Sequence, residues 1–520
     1  MSQLSTSRGV ARATLIIMFA TALSALLGLM RQIVISAAFG AGRELDAFYA
    51  AARVPETLFV LVAGGALASA YIPVFTRLHA QSPRAAWDMA SSLFSTVALA
   101  GGLLSALCFL LARPLVDFLL LPAAPAETQA LAAYLMRPML GTVAIFAVSG
   151  LSMATLNLQG DFLRPALAPA FYNLGIIFGG LALVPSWGVA GLAWGTLLGA
   201  GLHLGVQAPR LWALGRGNLR LHWQPRQAGV GEVFSLMLPR VLGLGVVQVN
   251  FWVNAALASD MPTGSLAALT TAFTLMFTVL GILGQSAGTA VFPALSRLSA
   301  EKDWGGFSTT LNETLERVLF LSLPAGLGLA TVAPWLLAVL FQRGAWTEAH
   351  TQATAWALGL FAIGLAGHAV LEVLARAFYA LHDTWTPVRV GVLTMLLNIG
   401  LSLLFVTLIG REARFERGAF GGLALAMSLA TALESAVLWF LLRRRISWQD
   451  APARHGALKI ALCALLMAGA LAAFGQISDG WPPAPRLLMG IGWGAGLFAG
   501  LAWLWRLPLM VDLAKRRWPR

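Results

Sequence analysis

Charged side chains crowd one stretch of an otherwise apolar chain: Arg31, Arg43, Glu44, Asp46, Arg53 and Glu56 all fall between Met30 and Leu58. A charge at the centre of a bilayer costs about 3 kcal/mol on insertion scales, so such residues turn toward protein or water. Two uses fit these residue types. Arg31 and Arg53 can present guanidinium forks to an anionic group, with Asp46 and Glu56 holding them in position. Alternatively, Arg31 pairs with Asp46 and Arg53 with Glu56 as packing bridges, the second being a spacing that puts both groups on one helix face.

A second set, Gln248, Asn250, Asn254, Asn398 and Glu434, consists of amides and one carboxylate inside apolar runs. Such groups line a cavity, coordinate a small cation, or hydrogen-bond between helices. A third, His368, Glu372 and Arg376, recurs every fourth residue and so shares a helix face. With no second His or Asp cluster nearby, a Glu372–Arg376 bridge is expected rather than a metal site. No Gly-rich phosphate loop precedes a Lys and no HExxH occurs, so no catalytic residue, metal or cofactor is assigned. The chain reads as a transporter rather than an enzyme.

The elements that must carry these residues follow from composition. Of 520 residues, 58% are hydrophobic and only 11% charged, with mean hydropathy +0.77, which places the chain among integral membrane proteins. The net charge of +13 is spread over short segments between apolar runs, so nucleic-acid binding is excluded. Cys108 and Cys463 lie inside apolar runs without a partner at metal or redox spacing, and are expected to pack as small hydrophobes. The basic, apolar N-terminus is too long for a signal core and has no clear cleavage site, so it is expected to be the first span.

A window of about 20 apolar residues per crossing yields an all-α polytopic protein with about fourteen spans, near 13–36, 46–75, 87–112, 129–156, 165–184, 187–209, 231–258, 264–292, 311–340, 350–377, 386–409, 418–442, 457–477 and 486–509. Glycines and Pro55 between the first two predict bent helices there. One set of alternate loops carries Arg8, Arg12, Arg77, Arg84, Arg210, Arg216, Arg220, Arg226, Arg443, Arg444, Arg445, Arg454, Lys459 and Lys515 to Arg517. The positive-inside tendency then puts both termini in the cytoplasm of a multi-pass inner-membrane protein. Trp187, Trp194, Trp335, Trp346, Trp385 and Trp481 fall near span ends, as an interfacial belt requires.

Two polar turns repeat. "NLQGDFLRPALAP" follows the fourth span and "RAFYALHDTWTPVRVG" the tenth; Asp161 precedes Pro165, and Asp383 precedes Pro387, by the same four residues. Each turn leads into Asn173 to Gly175 or Asn398 to Gly400. A polar residue before Pro is a helix entry. The six-helix offset implies two six-helix lobes in parallel pseudo-repeat, 1–225 and 226–445, followed by two added helices and a basic tail, 446–520.

"FGAGRELDAFYAAARVPETL", "GGALASAYIPVF" and "FYALHDTWTPVRV" resemble the MurJ/MviN family of lipid II flippases, within the multidrug, oligosaccharidyl-lipid and polysaccharide exporter superfamily. The likeness runs from about residue 13 to about 445. It implies two six-helix lobes plus two C-terminal helices forming a groove for the lipid tail. It also implies alternating access that moves undecaprenyl-pyrophosphate-linked peptidoglycan precursor to the outer leaflet, driven by the membrane potential or a coupling cation. The partners so implied are the lipid-linked glycan and membrane lipids. Arg31 matches a family arginine, and Asp46 and Arg53 match charged family positions, but Ala25, Phe59 and Thr274 stand where the family has arginines. Three other readings stay open: a divergent exporter of another lipid-linked glycan, a cation-coupled drug antiporter using Glu434 or Glu372, and a non-transporting membrane scaffold.

Overall fold

In lipid every backbone N–H and C=O must be paired within the chain, and a helix pairs them locally. In the computed structural model the described residues are 7–62, 66–215, 219–220, 223–224, 227–410, 414–446, 453–507 and 509–510, and among them the regular structure is helical throughout. The expected bend glycines Gly64 and Gly65, the basic residues Arg216, Arg226 and Arg411, and the tail from Lys515 to Arg517 lie outside the described residues.

The first unit, Met1–Leu266, holds α1 (Ser7–Phe39), α2 (Arg43–Val62), α3 (Ala66–Gln81), α4 (Pro83–Leu110), α5 (Ala126–Leu158), α6 (Leu163–Phe178), α7 (Ala190–Gly205), α8 (Ala208–Gly215) and α9 (Val230–Ala258). The chain then enters α10 (Ser265–Leu280). The second unit, Ala267–Arg520, continues with α11 (Ser286–Ala300), α12 (Trp304–Phe341), α13 (Glu348–Ile363), α14 (Leu365–Ala380), α15 (Trp385–Ile409), α16 (Phe420–Arg445), α17 (Ala453–Ile477) and α18 (Pro483–Leu504).

Among the described residues, ten helical stretches are long and apolar enough to cross a bilayer singly, and two more do so as pairs bent by 43° and 44°. Two expected spans fall short of that test for local reasons. α7 has only 16 residues, about 24 Å at 1.5 Å per residue. In the 46–75 span, α2 carries Arg43, Glu44, Asp46, Arg53 and Glu56 within 20 residues and α3 has only 16 residues, and each contains a proline, Pro55 or Pro73, which removes a backbone bond. The chain is a multi-pass membrane protein. Large apolar side chains such as Leu110, Phe118, Ile477 and Leu488 are more than two-thirds exposed on the helix exteriors, as a lipid-facing surface requires.

In the first unit α2 packs on α5, α6 on α7 and α1, and α9 on α2 and α3. Tyr71, Trp87, Met89 and Leu93 centre a core completed by Val230 and Val233 of α9. Between α6 and α7 the packing is backbone on backbone: Gly175 and Gly179 face Gly191, Gly195 and Gly199, so the two helices approach more closely than any side chain would permit. In the second unit the long α12 packs on α17 and α18, burying Phe320, Trp335, Met467 and Phe498; Cys463 is part of that core, as expected of a small hydrophobe.

Candidate functional site

Helices α1, α2, α6 and α9 of the first unit carry part of the expected polar set. α2 carries Arg53, Glu56, Thr57 and Phe59 along one and a half turns, and Glu44 and Asp46 stand at its N-terminus, where the helix dipole favours anions. The Arg53 guanidinium sits 3.4 Å from the Glu56 carboxylate; its side chain is 15% exposed and that of Glu56 54%, so the cation is covered while its carboxylate remains open. The same guanidinium lies 5.3 Å from the centre of the Phe251 ring of α9, a cation–π arrangement. Thr57 donates to the Arg53 carbonyl at 2.7 Å, and the Trp252 indole N–H donates to the Thr57 hydroxyl at 2.9 Å, which ties α2 to α9.

Arg31, half-buried on α1, joins no ion pair among the described residues. It and Glu56 both lie within electrostatic reach of the Tyr172 hydroxyl on α6. Asp46 is engaged elsewhere: its carboxylate accepts the Gly264 N–H at 2.6 Å. It lines a cavity of about 30 Å³ with Leu121, Pro125, Thr128 and Ser259, room for about one water. Of the two packing bridges considered from sequence, Arg53–Glu56 is present. Asp46 instead holds the α9–α10 turn, and Arg43 at the same end pairs with Glu127 at 2.6 Å.

Phe59, at an expected arginine position, packs tilted against Phe146 of α5 with ring centres 4.5 Å apart, and Phe146 in turn meets Tyr172 and His203 edge-on, each at 5.3 Å. Phe59 thus belongs to an aromatic cluster rather than a cationic site. Ala25 is exposed on α1, and the Thr274 hydroxyl donates to the Thr270 carbonyl of its own helix at 2.8 Å. Sequence reasoning passed over Tyr172, Thr57 and Trp252. The adjacent Asn173 motif and the fourfold spacing from Arg53 to Thr57 were the available signals.

The amide set divides between the units. In the first, Asn254 donates to the Asn250 carbonyl oxygen at 3.1 Å, one turn apart on α9. In the second, Thr394 of α15 donates to the Glu434 carboxylate of α16 at 3.0 Å, and Asn398, one turn further along α15, is 4% exposed. Arg376 is bridged to Glu372 on α14 and also donates to the Glu372 carbonyl at 2.7 Å. Among the described residues no group of three His, Cys, Asp or Glu is placed to hold a metal ion.

The two polar turns have the same construction. In each a left-handed residue, Gly160 (φ 78°) or His382 (φ 56°), ends the preceding helix. The N–H of the following Asp then bonds five residues back, Asp161 to Leu156 at 2.9 Å and Asp383 to Phe378 at 3.0 Å, which is a Schellman closure. Each Asp next takes an arginine from the end of the second helix that follows: Asp161 lies 3.7 Å from Arg210, just past α7, and Asp383 bonds Arg445, the last residue of α16. Desolvation, the largest influence on Asp383, pushes its carboxyl pKa up, but the hydrogen bonds from Thr386 and the charge and hydrogen bond of Arg445 together outweigh it and hold the group down at about 2.

A family model described as "Lipid II flippase MurJ" matches residues 35–487. The chain belongs to the MurJ family. A probable lipid II flippase MurJ of Vibrio cholerae serotype O1 is 31% identical over 495 residues, covering 91% of this chain and 90% of that protein. A lipid II flippase MurJ of Burkholderia cenocepacia is 30% identical over 452 residues, 85% of each chain. Among solved structures, a lipid II flippase MurJ in an inward closed conformation superposes with TM-score 0.80 at 24% identity, over 95% of this chain and 100% of that one. An inward-facing MATE family multidrug transporter shares the fold at TM-score 0.69 and 15% identity, over 83% and 98%. MurJ membership agrees with the sequence resemblance.

Proposed function

We propose that this protein moves lipid II, the undecaprenyl-pyrophosphate-linked peptidoglycan precursor, from the cytoplasmic to the outer leaflet of the inner membrane by alternating access. The family match across residues 35–487 carries this reading. Arg31 supports it as a cation without an ion-pair partner among the described residues, within electrostatic reach of Tyr172. A planar fork there can take two pyrophosphate oxygens at once. Arg53 and Glu56 supply a second, partly neutralised fork, and Asp46 shapes the end of α2. The basic loop residues support an orientation with both termini in the cytoplasm. The matched Asp161 and Asp383 turns support a six-helix repeat with lobes 1–225 and 226–445 and an appendage, 446–520. Coupling to a cation or to the membrane potential completes the proposal, with Asn250, Asn254, Asn398 and Glu434 as the polar groups available to a cation.

The Phe59–Phe146–Tyr172 aromatic cluster favours a second reading, a related exporter whose cargo is a different lipid-linked glycan, because a site with fewer arginines holds a pyrophosphate less tightly. Complementation separates the readings. In a host depleted of its own lipid II flippase, the wild-type chain is expected to restore growth and Arg31→Ala to fail at equal membrane abundance. Failure of the wild type would remove lipid II as cargo, and full rescue by Arg31→Ala would remove Arg31 from the site. An antiporter predicts instead that Glu434→Gln abolishes cation-driven drug export.

A further inference from the structure

At one end of the second unit, Phe378, Thr386, Arg389, Val390, Leu441, Arg444 and Arg445 enclose a cavity of about 400 Å³. Its three guanidinium groups are unequally compensated. Arg445 is bonded to Asp383, which also receives the Thr386 hydroxyl at 2.6 Å. Arg389 and Arg444 are exposed and have no carboxylate partner among the described residues; Arg444 instead lies 4.2 Å from the centre of the Phe440 ring. The cavity therefore holds two positive charges in excess over a floor of Phe378, Val390 and Leu441.

Two exposed apolar stripes leave it along adjoining helices. On α15, Leu393 and Leu397 follow Arg389 at intervals of four and are 66% and 36% exposed. On α16, Phe440 and Leu433 precede Arg444 on the same face and are 49% and 47% exposed. The helices themselves pack together. A cationic pocket opening onto paired apolar tracks has the chemistry of an amphiphile with an anionic head.

We infer that this cavity binds the headgroup of an anionic phospholipid, its phosphate held between Arg389 and Arg444 and its acyl chains lying along Leu393 and Phe440. Thr386 and Arg445 keep Asp383 occupied, so that the carboxylate does not oppose the phosphate. With the orientation proposed above, that phospholipid belongs to the cytoplasmic leaflet; binding in a micelle does not depend on the orientation, so the two fail separately.

The test is a titration of the full-length chain in neutral detergent with fluorescent phosphatidylglycerol, with phosphatidylcholine and inorganic phosphate as competitors. Each arginine near an anionic surface contributes about fivefold in affinity, so Arg389→Gln/Arg444→Gln should bind about 25-fold more weakly. Arg317→Gln/Arg343→Gln, with the same charge removed elsewhere in the unit, should bind as wild type. Because the Gln pair can weaken the fold, Arg389→Lys/Arg444→Lys is measured beside it and is expected to stay within about fivefold of wild type. Wild-type affinity in a monodisperse Gln pair, or equal losses in the control pair, overturns the site. Loss in the Lys pair as large as in the Gln pair shows a folding defect rather than a charge effect and also overturns it. Displacement of the lipid by inorganic phosphate at similar concentration overturns the lipid assignment in favour of a simple anion site.

Discussion

Replacing Gly195 by Ala tests the packing that sets α6 against α7. A Cβ at Gly195 would lie 2.7 Å from Gly179 Cα, 3.0 Å from the Gly175 carbonyl oxygen and 3.2 Å from Gly179 N. Carbon atoms rest at about 3.5–4.0 Å, so the helices must part by roughly 1 Å. All the close atoms are backbone, so no rotamer change relieves them. Overpacking of this kind costs about 3 kcal/mol at the upper end of its usual range, offset by about 1 kcal/mol from alanine's better helix propensity. The net expectation is a loss of about 2 kcal/mol. Gly201 on the same helix provides the comparison, since a Cβ there meets nothing within 4 Å. Gly201→Ala should therefore gain up to about 1 kcal/mol.

Thermal unfolding in a single detergent, followed by tryptophan fluorescence, reads the difference; Trp187 and Trp194 stand beside this contact with ring centres 6.4 Å apart. At about 2 cal/mol/K of unfolding entropy per residue, a 520-residue chain shifts by about 1 °C per kcal/mol, so Gly195→Ala should melt roughly 2 °C below wild type, and Gly201→Ala at or above it. A Gly195→Ala midpoint equal to that of Gly201→Ala would refute the argument that α6 and α7 pack backbone to backbone.

Other expectations concern the turns and the α2–α9 tie. Asp383, held at about 2 in the folded protein against about 3.9 unfolded, contributes stability that is full above the unfolded value and is lost as pH falls through the folded one. Between pH 4 and pH 2 the wild type should therefore lose more stability than Asp383→Asn, as compared by unfolding midpoints across that window. His382→Gly removes a left-handed backbone cost of about 1–2 kcal/mol and returns about 0.5–1 kcal/mol to the unfolded chain's entropy, so its midpoint should equal or exceed that of wild type. Trp252→Phe deletes the donor to Thr57 and should cost about 1 kcal/mol. Trp252→Phe in a Thr57→Val background should cost less, and a double-mutant cycle measures the coupling.

The matched turns were legible in the linear chain because Asp and Pro act locally: a capped helix entry needs only neighbours four residues apart. The same local logic made the Arg53–Glu56 and Glu372–Arg376 pairs readable, since helical spacing alone brings them together. Hydropathy likewise announced the apolar spans, but it could not show that α7 is only 16 residues long, because that limit depends on how its glycines pack against the neighbouring helix.

Partners distant in sequence were hidden. Asp46 was available to Arg31 by proximity along the chain, yet the fold gives it to Gly264, a backbone donor more than 200 residues away. Phe59 read only as a missing cation until Phe146 and Tyr172 were found beside it. Sequence by itself determined the class, the family and the local turns, because bilayer thickness, helix period and capping chemistry act over a few residues. Only the tertiary structure decided which charges are neutralised and which stay available, because the Coulomb energy of a guanidinium depends on what other helices place within a few ångströms of it.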